Sequence, residues 1–395
     1  MRHSHAAHIP EAFGKIFASP FTVQDYATAP ELVALHHIAE PEPMSSCTSV
    51  RIFGREVSEE NVPFRFSAVP EMYIAELEDV LLFNTVIHSK TGNFFRESAR
   101  MYYPQNGSLF YNFAMGINGE SFNPFPLGNS YYVHTRMPKD NTAARYPGCA
   151  MPFIANLTHY GHFLIECISR LWVIEHGFKP QLVLHSSVKQ VPRYLLELVR
   201  PFGLDADDFI FSKEFSVFEK LILPSHALME GCYIGAKAKS VYRKIAQYYG
   251  GEKAKFPAKI YVSREKLTKR RLINERQCRE IFEKHGFTPI YPEELSTQDQ
   301  INAFAHATHI AGPIGSGLHN VFFSLMPEDL SVLFLSPREF KGLTTFHFIE
   351  SSYGRRSNLV MGEYLALEKS RRRWSAPWTL DPDDVEAAIP QWLTS

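Results

Sequence analysis

From about residue 150 onward, short apolar runs alternate with amphipathic stretches, and this alternation predicts strands and helices in turn. Residues 151–156, 181–187, 209–212 and 220–226 read as strands. Residues 162–177, 191–204 and 239–250 read as helices, with Gly177 and Gly250 as their stops. The polar, Gly- and Pro-marked stretch 250–259 is the best linker candidate. A second series follows it. Strands are expected at 259–263, 288–292, 309–313 and 331–336, and helices at 274–286 and 296–308. Asn274 stands where a cap belongs, and Ser296 precedes Asp299 at capping-box spacing. Residues 315–326 read as a loop and helix.

Such alternation implies parallel sheets with crossover helices, and two series imply two Rossmann-like domains. Before them the pattern is weaker. Residues 1–70 read as an irregular segment rich in Pro and His, with His3, His5 and His8 in a polar tail. Residues 73–98 read as a small antiparallel β unit with turns at Glu78-Asp79 and at 91–93. Residues 99–150 give no clear pattern. The expected division is therefore 1–70, 71–250 and 258–395.

Bulk composition narrows the function. The 395 residues suffice for two or three domains, and 45% apolar with 21% charged residues is ordinary globular composition. The 41 basic and 42 acidic residues nearly cancel, so no global field favours nucleic acid. Five scattered cysteines argue against a disulfide framework and against a zinc site, and fit a cytoplasmic compartment. The first ten residues lack the apolar core of a signal peptide, and no run is long enough for a membrane helix. No metal is expected. A D-x-D element placed between a strand and a turn is absent; Asp205-Ala206-Asp207 reads as a polar turn.

Three stretches carry candidate chemistry. Gly312 to Asn320 follows a strand and opens a helix. Gly315 and Gly317 admit close backbone approach, and Ser316 adds a hydroxyl, so the loop suits phosphate. It is neither a Walker loop nor a G-x-G-x-x-G fingerprint, and a tight turn needing glycine for geometry alone is the equal alternative. Arg264 stands just past a strand end, where guanidinium can grip phosphate. Lys266 and Lys269 read as solvated; between Arg270 and Arg271 the pattern leans slightly to Arg271. His162, Glu166 and Arg170 share one helix face at i, i+4 and i+8. They read either as a base pair for proton transfer or as a helix salt bridge, Glu166 to Arg170, beside a core histidine.

Together these stretches resemble glycosyltransferase family 61, in its bacterial branch. Members commonly read N-Y-x-H-W-L-x-E, later a V-S-R segment closing on N-E, and later G-P-H-G-S-G-L-T-N. The corresponding residues are 159–166, 262–275 and 312–320, and the middle stretch matches at Arg264, Arg271, Leu272, Asn274 and Glu275. Departures are Ile314 for the usual His, His319 for Thr, Phe163 for Trp and Ser169 for Pro; the strand 331–336 lacks an acidic residue. The resemblance implies a GT-B architecture, two Rossmann-like domains facing a cleft, with a small β-rich N-terminal segment. It implies inverting, metal-independent transfer from a nucleoside-diphosphate sugar to a glycan acceptor, often for capsule or other surface polysaccharide.

On that basis Arg264, Arg271, Gly315, Ser316 and Gly317 are expected at the donor diphosphate. Asn274, Glu275, His319 and Asn320 are expected to support that loop. His162 and Glu166 are the base candidates, His162 slightly ahead because an imidazole titrates near neutrality. The nucleotide sugar is a co-substrate, and no other cofactor is expected. The expected partners are donor and acceptor, with peripheral association to membrane-bound assembly machinery. The rival readings are a nucleotide-sugar epimerase and a catalytically inactive nucleotide-sugar-binding subunit.

Overall fold

The computed structural model describes residues 5–8, 21–22, 25–43, 47–62, 68–83, 86–89, 95–98, 101–103, 108–110, 130–131, 142–153, 160–185, 188, 190–213, 215–230, 232–251, 254–338, 340, 342–365 and 376–395. The chain forms two compact units, 1–42 with 70–229 and 43–69 with 230–395. Each holds a mixed α/β sheet with a parallel core.

In the first unit the sheet order is Phe209–Ser212, Gln181–His185, Thr142–Pro152, Phe215–Pro224, Met72–Phe83 and Leu32–Ala39. The first four are mutually parallel, and the last two are antiparallel additions. In chain order the parallel strands stand third, second, first, fourth, the opening of the doubly wound order 3-2-1-4-5-6. No helix separates the third from the fourth. Residues 5–8, expected in a polar tail, pair antiparallel with 142–145.

The turn expected at Glu78-Asp79 does not form. Met72–Phe83 runs through it as one strand, with Asp79 alone in a left-handed backbone conformation (φ 53°). Arg145 explains the tolerance: it donates to Asp79 at 2.5 Å and to Glu219, opposite on the next strand, at 2.9 Å. The antiparallel unit itself is present as a hairpin of Met72–Phe83 with Val86–His88. The turn expected at 91–93 lies outside the described residues.

The helix expected over 162–177 is two elements, an α-helix Tyr160–Glu166 and a 3₁₀ helix Ile168–His176. Gly177 ends the second in the left-handed conformation (φ 85°) that glycine adopts without cost.

In the second unit the order is Thr288–Ile290, Lys259–Val262, His309–Pro313, Ser331–Pro337, Ser357–Tyr364, Ser49–Phe53 and Ser58–Asn61. All are parallel except the last. From Lys259 onward this is the doubly wound order 2-1-3-4-5, which reverses direction between Lys259–Val262 and His309–Pro313. These strands are buried apolar runs because elements cover both faces. A core of Tyr261, Phe282, Trp378 and Trp392 packs on one side.

The division by contact differs from the expected 1–70, 71–250 and 258–395. Ser49–Phe53 and Ser58–Asn61 lie in the region expected to be irregular, and they extend the second sheet. The helix Ala236–Gly250 belongs to the second unit and packs on Thr297–Ala305 and Ser316–Phe323. The expected linker is tied down inside that unit: Asn302 accepts from the Lys255 N–H at 2.8 Å and donates to the Gly250 carbonyl.

Candidate functional site

The strand Lys259–Val262 ends at Ser263 and Arg264, on one side of the switch point. A buried carboxylate shapes this turn. Glu275 opens the helix Glu275–Lys284 and is only 2% exposed. Its Oε1 accepts from the Ser263 hydroxyl at 3.0 Å and from the Arg264 N–H at 2.6 Å. Burial pushes its carboxyl up to about 7, against the pull of those two donors. Asn274, beside it, does not cap the helix with its side chain. Instead it donates to the Leu380 carbonyl at 2.7 Å and accepts from Thr379 and the Leu380 N–H. It therefore anchors the short strand Trp378–Thr379 and supports the loop from behind.

Arg264 is 8% exposed, and its Nη2 donates to the Lys269 carbonyl at 3.1 Å. Its Nε is buried without a partner among the described residues. Burial lowers its pKa to about 10, and the neighbouring charge of Arg270 acts in the same direction.

Sequence leaned to Arg271 as the second cation, but the structure puts Arg270 beside Arg264. Arg271 is exposed, while Arg270 is half-buried with its guanidinium 5.0 Å over the Phe340 ring. Trp378 makes this selection. Its indole N–H donates to the Arg270 carbonyl at 3.0 Å, its backbone N–H donates to the Arg271 carbonyl, and its carbonyl accepts from Ile273. Held this way, Arg270 takes a left-handed backbone conformation (φ 53°) that is uncommon for a residue with a side chain. The Arg-Arg doublet was the available sequence signal. The register that chooses between the two residues comes from a tryptophan 108 positions away.

Across the switch point, His309–Pro313 leads into the glycine loop. Gly312 is required by space: a Cβ there would lie 2.5 Å from the Val262 carbonyl oxygen. At Gly315 the backbone is extended (φ 175°), a conformation any residue adopts, so no left-handed turn demands glycine. A Cβ at Gly317 would meet Pro292 at 3.3 Å. Ser316–Phe323 is a 3₁₀ helix, with Ser316 half-buried at its start.

His319 is nearly buried, and its Nδ1 lies 3.2 Å from the Ser316 carbonyl, so Nδ1 carries the proton. Its ring sits 4.8 Å from that of Phe346. Asn320 is fully buried and donates to Gln300 at 3.3 Å. Both hold the loop from inside. Ile314 is buried, and its N–H donates to the Leu335 carbonyl at 2.9 Å.

In the first unit, His162 Nδ1 lies 3.2 Å from Glu166 Oε1 on the helix Tyr160–Glu166. The imidazole side chain is 36% exposed and the carboxylate 8%. His162 thus meets solvent while Glu166 stands behind it. The alternative salt bridge from Glu166 to Arg170 gives way to another arrangement. Arg170 Nε donates to the Glu166 backbone carbonyl at 3.1 Å and Nη2 donates to the Glu97 carbonyl at 2.8 Å. The change to 3₁₀ geometry after Glu166 is why the i+8 relation fails. Glu97 in turn accepts from Tyr26 at 2.6 Å and from Tyr73.

Residues 160–333 match the family model Glycosyltransferase 61. The likeness to glycosyltransferase family 61 is thus carried by this stretch of the chain. No curated protein matches it. The family 61 match takes in His162, Glu166, Arg264, Arg270 and the whole glycine loop; Phe340 and Trp378 lie beyond it. Glycosyltransferases of this family act on a sugar donor and an acceptor. Among the described residues no helix is long and apolar enough to cross a membrane.

Proposed function

We propose that this protein, like the family it resembles over residues 160–333, transfers a sugar, with inversion, from a nucleoside-diphosphate sugar to a glycan acceptor hydroxyl. The observation that carries the reading is the pair Arg264 and Arg270 at the switch point of the second sheet. Neither guanidinium is bonded to a carboxylate among the described residues, and the glycine loop lies against one of them. Cations held together with no carboxylate bonded to either guanidinium suit a diphosphate. In this reading Arg264, Arg270, Ser316 and the N–H groups at Gly315 and Gly317 bind it. They stabilise the charge that grows as the nucleoside diphosphate leaves. Arg271 serves only as an outer, solvated charge.

The acceptor hydroxyl attacks the anomeric carbon in line, and its proton must go to a base. His162 takes it, and Glu166 orients the imidazole and stabilises the imidazolium that forms. Positive charge from arginine makes a divalent cation unnecessary. The two units act as a GT-B pair, the protein works in the cytoplasm, and its product enters a capsular or other surface polysaccharide.

A thermal-shift screen of UDP-, GDP-, dTDP- and CMP-linked sugars identifies the donor. Transfer is then followed with and without EDTA, and the anomeric configuration of the product is read by NMR. Inverted product formed in EDTA supports the reading. Turnover of the donor without acceptor indicates an epimerase. Binding with neither hydrolysis nor transfer indicates an inactive binding subunit, the reading that the buried Ile314 favours.

A further inference from the structure

Glu275 is enclosed beneath the Arg264 turn with its two oxygens in unlike surroundings. Oε1 holds the Ser263 hydroxyl and the Arg264 N–H. Oε2 is buried and has no hydrogen-bond partner among the described residues, and the hydroxyl of Tyr261 is in the same position. A carboxylate oxygen in such a place is costly as an anion and cheap to protonate.

The charges facing it come from a few elements. On the strand and its turn stand Tyr261, Arg264 and Glu265; on its own helix stand Cys278 and Arg279. Arg279 is paired with Glu265 at 2.7 Å. Burial holds Tyr261 and Cys278 neutral by raising both. Arg264 is the cation that favours the Glu275 anion, while Arg270 and Glu293 act on Arg264.

We propose that occupation of the Arg264 site by a diphosphate is coupled to uptake of one proton by Glu275, on Oε2. This rests on the reading of that site as the donor diphosphate site. The ligand's negative charge offsets the field of Arg264, and Glu275 loses what supported its anion. The proton comes from solvent. Oε1 keeps its two donors, so the Ser263–Arg264 turn is unchanged.

By linkage, whatever raises proton affinity on binding makes the ligand bind more tightly as pH falls. Burial already lifts Glu275 to about 7, so the coupling operates around neutrality.

The test is calorimetric titration with UDP-glucose, GDP-mannose and dTDP-glucose, whose phosphates do not titrate near neutrality. Two buffers of unlike ionisation enthalpy are used at pH 7. Wild type is expected to take up as much as about half a proton per ligand bound. Its affinity should rise several-fold from pH 8 to pH 7, at most ~5-fold. Glu275→Gln keeps an acceptor for Ser263 and Arg264 and should show neither effect.

Binding without uptake in wild type, or equal uptake in both proteins, overturns the coupling while leaving the site reading intact. No binding of any of the three sugars removes the site reading, and the coupling falls with it. If Glu275→Gln does not fold, infrared difference spectra of wild type decide: a protonated-carboxyl band must grow on binding, and its absence overturns the proposal.

Discussion

Gly315 lies against the guanidinium of Arg264: a Cβ at position 315 would stand 2.1 Å from Nη1 and 2.7 Å from Cζ. The atoms in the way are the far end of a flexible side chain, so the guanidinium would yield before the backbone. Gly315→Ala should therefore fold with a stability loss of no more than ~1 kcal/mol. It should bind nucleoside diphosphate about ten-fold more weakly, because one charge-assisted contact of roughly 1.5–3 kcal/mol is misplaced. Melting temperature and calorimetric affinity, measured together, check this. Unchanged affinity would mean that the contact is packing alone.

Arg270 and Arg271 are neighbours with opposite expected effects. Arg270→Ala should weaken nucleotide binding by about ten-fold, whereas Arg271→Ala, at an exposed position, should change it by less than about two-fold. Arg270→Gly adds a sharper sign. It relieves a left-handed backbone that costs a residue with a side chain on the order of 1 kcal/mol, yet removes the cation. Stability holds or rises while affinity falls. Denaturant midpoints and binding isotherms on the three variants test the assignment; a larger loss at Arg271 would reverse it.

Glu275 should leave a mark on stability as a function of pH. Its folded pKa, about 7, lies above the ordinary carboxyl value, so the folded state binds the extra proton. The stability it contributes is full below about pH 4.5 and is lost as pH rises through 7. Glu275→Gln does not ionise, so its stability relative to wild type should improve from pH 4.5 to pH 8, by about 1–3 kcal/mol. Denaturation curves at pH 5, 6, 7 and 8 measure the difference. A gap that stays constant with pH would show that this carboxyl does not titrate there.

Much of this arrangement is legible in the sequence, for reasons that differ by element. Lys259–Val262, His309–Pro313 and Ser331–Pro337 are covered on both faces and read as unbroken apolar runs. The Ser296 cap is visible because capping is local, and its hydroxyl does accept from the Asp299 N–H. Other features depend on distant residues. Arg145 neutralises Asp79 and keeps a strand straight through a turn signal. Asn302 ties down the apparent linker, and Trp378 chooses Arg270 over Arg271. The spacing of His162 and Glu166 was readable, but not that Arg170 would turn to backbone carbonyls, because nothing local announces the change from α to 3₁₀ geometry.

His162 and Glu166 should act on turnover and not on donor affinity. General-base catalysis contributes ~10²–10⁴-fold, so His162→Ala should lose about that much in kcat. Glu166→Gln still accepts a hydrogen bond from Nδ1 and should lose less, with a shifted pH–rate profile. Nucleotide affinity should stay within about two-fold of wild type in both. Stopped-flow rates and calorimetry separate these outcomes. Wild-type turnover in both variants would place the base elsewhere.

If Arg264 binds the diphosphate of the donor, its removal must show in donor affinity. The most direct measurement is calorimetric titration of wild type and Arg264→Ala with the nucleotide sugar that the thermal-shift screen selects. Melting curves run alongside show whether both proteins are folded. The dissociation constant should be at least about ten-fold higher in the variant, as expected for losing a charge-assisted contact of roughly 1.5–3 kcal/mol. Equal affinity in a folded variant would contradict it.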